Sequence, residues 1–181
     1  TKDFPYRLSQ ICGVLATNDL NIFSAQAYTR KDGIVIDTFQ VTYPDGVTEI
    51  DTRRRSQIQN QLEKVFGGMT EISELFEKHK ARWSRKRLPT RTTQTELTID
   101  NEISDQFTVI DVFAHDEVGL LYRITDGLSD LNLDISTARI STQADRVIDS
   151  FYVQHKEFGK ISDPDALNLI RAKLLEKLAD K

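Results

Sequence analysis

One cysteine, Cys12, is the only thiol in 181 residues. That count excludes an internal disulfide and points to a reducing compartment, so a cytoplasmic protein is expected. No apolar run approaches the roughly 18 residues that span a bilayer. No signal-peptide pattern opens the chain. Positive charge is also short: 24 Lys and Arg face 28 Asp and Glu, a net charge of −4. That balance argues against a protein whose main work is gripping nucleic acid. Neither a P-loop, a nucleophile elbow, a Cys/His zinc pattern nor a close carboxylate pair is found. His79, His115 and His155 lack metal-ligand spacing, and no cysteine stands near them. No catalytic residue, metal ligand or cofactor is therefore expected. The chain opens on Thr1, a few residues before a helical pattern, which reads as a piece of a longer protein whose missing part includes a strand.

What the chain does have is one pattern written twice. Residues 11–41 read ICGVLATNDLNIFSAQAYTRKDGIVIDTFQV, and residues 124–153 read ITDGLSDLNLDISTARISTQADRVIDSFYV. Ile11, Leu15, Ile22 and Ala25 answer Ile124, Leu128, Ile135 and Ala138, each 113 positions on. Asp37, Phe39 and Val41 answer Asp149, Phe151 and Val153 at 112. The one-residue slip falls between Thr29 and Ile34, where a turn absorbs it. A period this long marks duplicated domains, not a solenoid. With 39% hydrophobic and 29% charged residues, the chain has room for two small domains, 1–88 and 93–181.

In the second copy, Phe107–Ala114 is rich in β-branched and aromatic residues and reads as a strand. A turn follows at His115–Gly119. Leu120, Ile124, Leu128 and Leu131 then recur at helical spacing. Leu133–Thr142 and Arg146–His155 form a hairpin around Gln143–Asp145. Ser162-Asp163-Pro164-Asp165 has the capping residue, first-turn proline and acids of a helix start, with Leu167, Ile170, Leu174 and Leu178 as its buried stripe. The order is β-α-β-β-α, one strand short of the ferredoxin-like unit. The first copy matches from its helix onward: Leu8, Ile11 and Leu15, then a hairpin over Asn21–Thr29 and Gly33–Tyr43, then a helix striped by Ile58, Leu62, Val65 and Phe66 and ended by Gly67-Gly68. A further short helix is marked by Ile72, Leu75, Phe76 and His79. The basic stretch HKARWSRKRLPTRT, residues 79–92, reads as a linker. Thr95–Asp100 alternates Leu97 and Ile99 with polar residues, a candidate for the strand position that the second copy lacks. The fold class expected is α+β: two ferredoxin-like units with antiparallel sheets, the first without its N-terminal strand.

The loop Asp116-Glu117-Val118-Gly119-Leu120-Leu121 lies between a strand and a helix. Gly119 lets the backbone turn tightly and lets a ligand approach with no Cβ in the way. Free amides at the helix start can hold a carboxylate. A small zwitterion suits this loop, with Asp116 or a neighbouring carbonyl taking its ammonium; a plain turn glycine is the alternative. Aligning Leu8 with Leu121 puts Tyr6 at the glycine position and Arg7 at Leu120, so the two copies should not bind alike. Asp37 and Asp149 sit mid-strand on apolar rows, where a carboxylate is costly unless partnered; a structural role is favoured. Cys12 falls on the apolar side of its helix and reads as core.

At DEVGLLYRITDGLSDLNLDISTARIST and RVIDSFYV the chain resembles an ACT domain: an acid, a turn glycine before two apolar residues, a helix, then a strand opening on an Asn/Asp-Ile pair. Asp116, Gly119, Leu120, Leu121, Ile124, Leu128, Asp134 and Ile135 carry the pattern in the second copy. Asp3, Leu8, Ile11, Leu15, Asn21 and Ile22 carry it in the first. The run around Asn101, Ser104 and Thr108-Val109-Ile110, with the strand Asp149–Val153, is similar to the C-terminal tandem ACT region of bacterial PII uridylyltransferase/uridylyl-removing enzymes. The resemblance implies a regulatory module that senses an amino acid, glutamine, for an enzyme acting on a PII signalling protein in nitrogen metabolism. It implies ligand contacts from the Asp116–Leu121 loop and from Asn21-Ile22 or Asp134-Ile135. Val118 stands where the family usually has Pro, and Glu117 where it usually has Arg, adding negative charge beside the carboxylate position. The main alternative is a ligand-free dimerisation or structural ACT module, so a homodimer is a further expectation to test. RNA-recognition domains share the β-α-β-β-α-β order, but no Lys/Arg-Gly-aromatic run precedes the third strand. An acylphosphatase-type phosphohydrolase would need a cationic loop where Asp116 and Glu117 stand.

Overall fold

Alternating apolar rows become strands and 3.6-residue stripes become helices along most of the chain. The structure, a computed structural model, describes residues 6–30, 32, 34–43, 45–84, 95–115, 117–143 and 146–179. In chain order they form α1 (Arg7–Thr17), β1 (Asn21–Thr29), β2 (Val35–Thr42), α2 (Thr52–Phe66), α3 (Ile72–Ser84), β3 (Glu96–Asp100), β4 (Thr108–His115), α4 (Leu120–Asp130), β5 (Leu133–Gln143), β6 (Arg146–His155) and α5 (Pro164–Ala179). The strands make one six-stranded antiparallel sheet in the order β2-β1-β5-β6-β4-β3.

This order settles how the copies meet. β1 of the first copy pairs with β5 of the second, Ala27 opposite Ala138 and Gln26 opposite Arg139. The two hairpins thus join at equivalent strands. β3 lies at the far edge beside β4, Leu97 opposite Val112 and Ile99 opposite Ile110. It fills the outer position left open by the β-α-β-β-α order. In the first unit β2 is the outermost strand among the described residues.

The duplication extends to backbone detail. Tyr6 precedes α1 at φ 64° and Gly119 precedes α4 at φ 90°. Asp19 and Asn132 follow the same helices at φ 58° and 57°. A bulge breaks the ladder between Ile22 and Ser24 in β1, and between Ile135 and Thr137 in β5.

One hydrophobic cluster spans both copies. Val14 and Leu15 of α1, Ile124 and Leu128 of α4, and Ile110, Ala138, Phe151 and Val153 of the sheet belong to it. Each fully buried Val, Leu, Ile or Phe among them contributes about 1.5–3 kcal/mol, so the shared core ties the units together. α1 packs against α4, α2 and α3, and α4 against α5. The Asp51 side chain accepts from the Arg54 amide at 2.7 Å and caps α2. The Asp163 carboxylate accepts from the amides of Asp165 and Ala166, both at 3.3 Å, and starts α5.

One expectation needs correction. The basic stretch from His79 begins inside α3, which runs to Ser84. Buried Ile72 and Phe76 anchor that helix, and no proline interrupts it before Pro89. Residues 85–94, and the turn residues 144 and 145, lie outside the described residues.

Candidate functional site

The start of α4 is built by a glycine that a larger residue would strain. Gly119 takes φ 90°, ψ −4°, a left-handed conformation closed to β-branched side chains. The Leu120 amide donates to the Glu117 carbonyl at 3.1 Å, and Arg123 opens the helix ladder by donating to the Gly119 carbonyl at 3.1 Å. The amides of Leu121 and Tyr122 precede that first helical bond, at the positive end of the helix dipole.

Across from this turn lie the end of α1 and the start of β1. Leu15 and Ala16 carbonyls wrap the chain into Asn18, Asp19 and Leu20, which brings Asn21 and Ile22 to face α4. Between the two units lies a small cavity lined by Cys12, Ala16, Leu20, Asn21 and Ile22 from the first, and by Glu117, Gly119, Leu120, Leu121, Tyr122 and Asp149 from the second. Its volume is about 10 Å³, room for a single water.

Glu117 forms an ion pair with Arg123; the two side chains are 16% and 13% exposed. Arg123 also donates through Nη1 to the Leu178 carbonyl at 3.2 Å, so the loop is tied to the end of α5. The guanidinium compensates the charge that Glu117 brings beside the helix amides. Asp149, 1% exposed, stands between Val112 and Ile140 of the neighbouring strands. Burial pushes the Cys12 thiol pKa up, and the carboxylates of Asp37 and Asp149 add to that. Burial likewise raises the Tyr122 phenol, followed by the charges of Asp126 and Asp130. Burial thus favours the neutral thiol at Cys12.

Of the residues singled out from sequence, Asn21, Ile22, Glu117, Gly119, Leu120 and Leu121 line this one cavity. Val118 packs against the hydrophobic cluster beside it. Asp134 and Ile135 open β5 and are not in the lining; Asp134 is exposed and Ile135 half-buried. Asp116 lies outside the described residues. Sequence reasoning did not assign Cys12, Ala16, Leu20, Tyr122 or Asp149 to the cavity. Asp149 had a signal, a carboxylate on an apolar row; the others read as ordinary helix core. Arg123 gave none, because its partner sits in a loop and no helical spacing relates them.

Two helices over an antiparallel sheet, with a glycine turn leading into the first, place the second unit in a known class. Residues 96–181 match the family described as "ACR9-like, ACT-like domain". Over nearly its whole length the chain is similar to bifunctional uridylyltransferase/uridylyl-removing enzymes. It is 34% identical to that of Rhodopseudomonas palustris over 98% of this chain and 19% of the relative. The figures are 34%, 98% and 19% for Bradyrhizobium diazoefficiens, and 34%, 97% and 18% for Gluconobacter oxydans. The chain therefore spans about a fifth of the length of these relatives. Among solved structures, aspartate kinase from Synechocystis aligns with 95% of this chain and 24% of its own at 14% identity and a TM-score of 0.46, too slight a likeness to bear on function. Among the described residues, no helix is long and apolar enough to cross a membrane.

Proposed function

We propose that the chain is a non-catalytic amino-acid sensor, with L-glutamine as its effector. It would serve an enzyme that attaches and removes uridylyl groups on a PII signalling protein and so regulates nitrogen metabolism. The observation that carries this reading is the cavity between the units, where Gly119 and the amides that open α4 face Asn21. Helix amides suit a carboxylate, the Asp149 carboxylate suits an ammonium, and the Asn21 side chain offers a donor and an acceptor to a carboxamide. The enzymatic relatives support the regulatory context.

With room for one water, the cavity takes an amino acid only when the Glu117–Leu121 turn and the start of β1 part. That requirement is the source of coupling. A ligand that binds the parted arrangement shifts the equilibrium between the two arrangements by its differential affinity. Attached catalytic domains would sense the change. The same tightness supports a second reading, a structural or dimerising ACT module that binds nothing. Affinity for so small a ligand, after the opening step, should lie at roughly 10 µM to 1 mM.

Calorimetry with L-glutamine separates the readings. The wild-type chain should bind, and Gly119→Val, checked for folding by circular dichroism, should lose measurable uptake. Equal uptake by both proteins would remove the cavity from consideration. No binding of any amino acid would favour the structural module.

A further inference from the structure

If the copies were equivalent, the seam would hold two ligand positions. The first joins the turn of the second unit, at Gly119 to Leu121, with Asn21 and Ile22 of the first. The 113-residue repeat places its counterpart at Tyr6, Arg7 and Leu8 of the first unit against Asp134 and Ile135 of the second. Backbone geometry holds at both: Tyr6, like Gly119, precedes its helix with positive φ, and both following strands carry the same bulge. The side chains break the equivalence. Where Gly119 leaves the approach open, Tyr6 sends its ring onto the other unit. Its hydroxyl donates to Asp130 Oδ1 at 3.3 Å, at the end of α4 and four residues before Asp134. The Lys156 ammonium stands 6.0 Å from the centre of the ring, and the Lys156 amide donates to the Asn132 carbonyl at 3.1 Å. The ring, 39% exposed, thus reaches from the start of α1 to the end of α4, on the side from which the chain enters β5.

Two neighbours reinforce this placement. Lys177 of α5 binds both Asp126, at 2.5 Å, and Asp130, so the carboxylate that receives Tyr6 is fixed. Arg7, which replaces the core-facing Leu120, lays its guanidinium over the Phe66 ring at 4.0 Å. A left-handed backbone disfavours tyrosine and costs glycine little, yet Tyr6 keeps it and sets its hydroxyl on the second unit.

We propose, resting on the cavity reading above, that Tyr6 is a built-in occupant of the repeat-related position, so that the tandem chain takes one small zwitterion and not two. Tyr6 is a specificity-determining residue that leaves the seam with one working side. Removing the ring while keeping a residue that tolerates the left-handed conformation should open the second position.

The test is the stoichiometry of L-glutamine binding by calorimetry to the 181-residue chain. Wild type and Tyr6→Phe, which keeps the ring, should each take up one equivalent; Tyr6→Gly should take up two. Tyr6→Asn guards against a folding defect in the glycine variant, since asparagine accepts positive φ. Adding Gly119→Val to Tyr6→Gly should return the count to one. One equivalent in wild type and in both small-residue variants overturns the proposal and leaves the cavity reading standing. Two equivalents in wild type also overturn it. No uptake by wild type with one equivalent in Tyr6→Gly upholds the blocking role and removes the Gly119 cavity. No uptake by any protein defeats both.

Discussion

Gly119 and Tyr6 hold the same left-handed backbone state in two copies of one unit but carry different side chains. Much of this is legible in the sequence, because the repeat sets Tyr6 against the glycine that opens the matching helix. The Glu117–Arg123 pair is not legible. Its geometry depends on the path of a loop, and residue spacing alone does not encode that path. Cys12 falls between these cases: its helical position marks it as core, but its place on the cavity wall depends on how the units pack. Its titration gives a test. Burial raises the thiol pKa above the ordinary 9.0, so the folded state holds the proton more tightly than the unfolded chain. The stabilisation this supplies is complete below pH 9.0 and is lost as pH rises above it. Denaturant titrations from about pH 8 to pH 10 should therefore show wild type losing stability more steeply than Cys12→Ala. Parallel curves would mean that the thiol is not desolvated in the fold.

The helices and strands were largely readable because their apolar periods are regular, and β3 could be assigned because Leu97 and Ile99 alternate. The extension of α3 to Ser84 was not, since a run of charged residues looks the same on a solvated helix face as in a linker. The crossing of α1, α3 and α4 was also out of reach, although it turns on one residue. A Cβ on Gly13 would lie 2.5 Å from Ile72 Cγ1 and 3.0 Å from Tyr122 Cδ2. Gly13 therefore allows a close approach that no larger residue matches without movement. In an isolated helix, replacing glycine would help by up to about 1 kcal/mol; here overpacking dominates. Gly13→Val should destabilise the chain by about 1–3 kcal/mol in urea unfolding. Ile72→Ala, which empties the contact, should recover part of that loss in the double variant. A neutral or stabilising Gly13→Val would show that α3 does not press on α1.

At the scale of the whole molecule, two copies are joined by one sheet and one core. β1 pairs with β5, α1 packs on α4, and the cavity lies where those contacts end. The duplication was visible in sequence; the strand that makes the junction was not, because an edge offers the same donors and acceptors to any partner. On the proposed reading, a ligand at the seam would touch both units at once and bias how they sit together. The most direct measurement is a titration of the isotope-labelled chain with L-glutamine, followed by the backbone amide resonances. The expected result is that Gly119, Leu120 and Leu121 of the second unit shift together with Asn21 and Ile22 of the first, along one saturation curve. Shifts confined to one unit, or none at these residues while glutamine binds elsewhere, would contradict a sensor built at the seam.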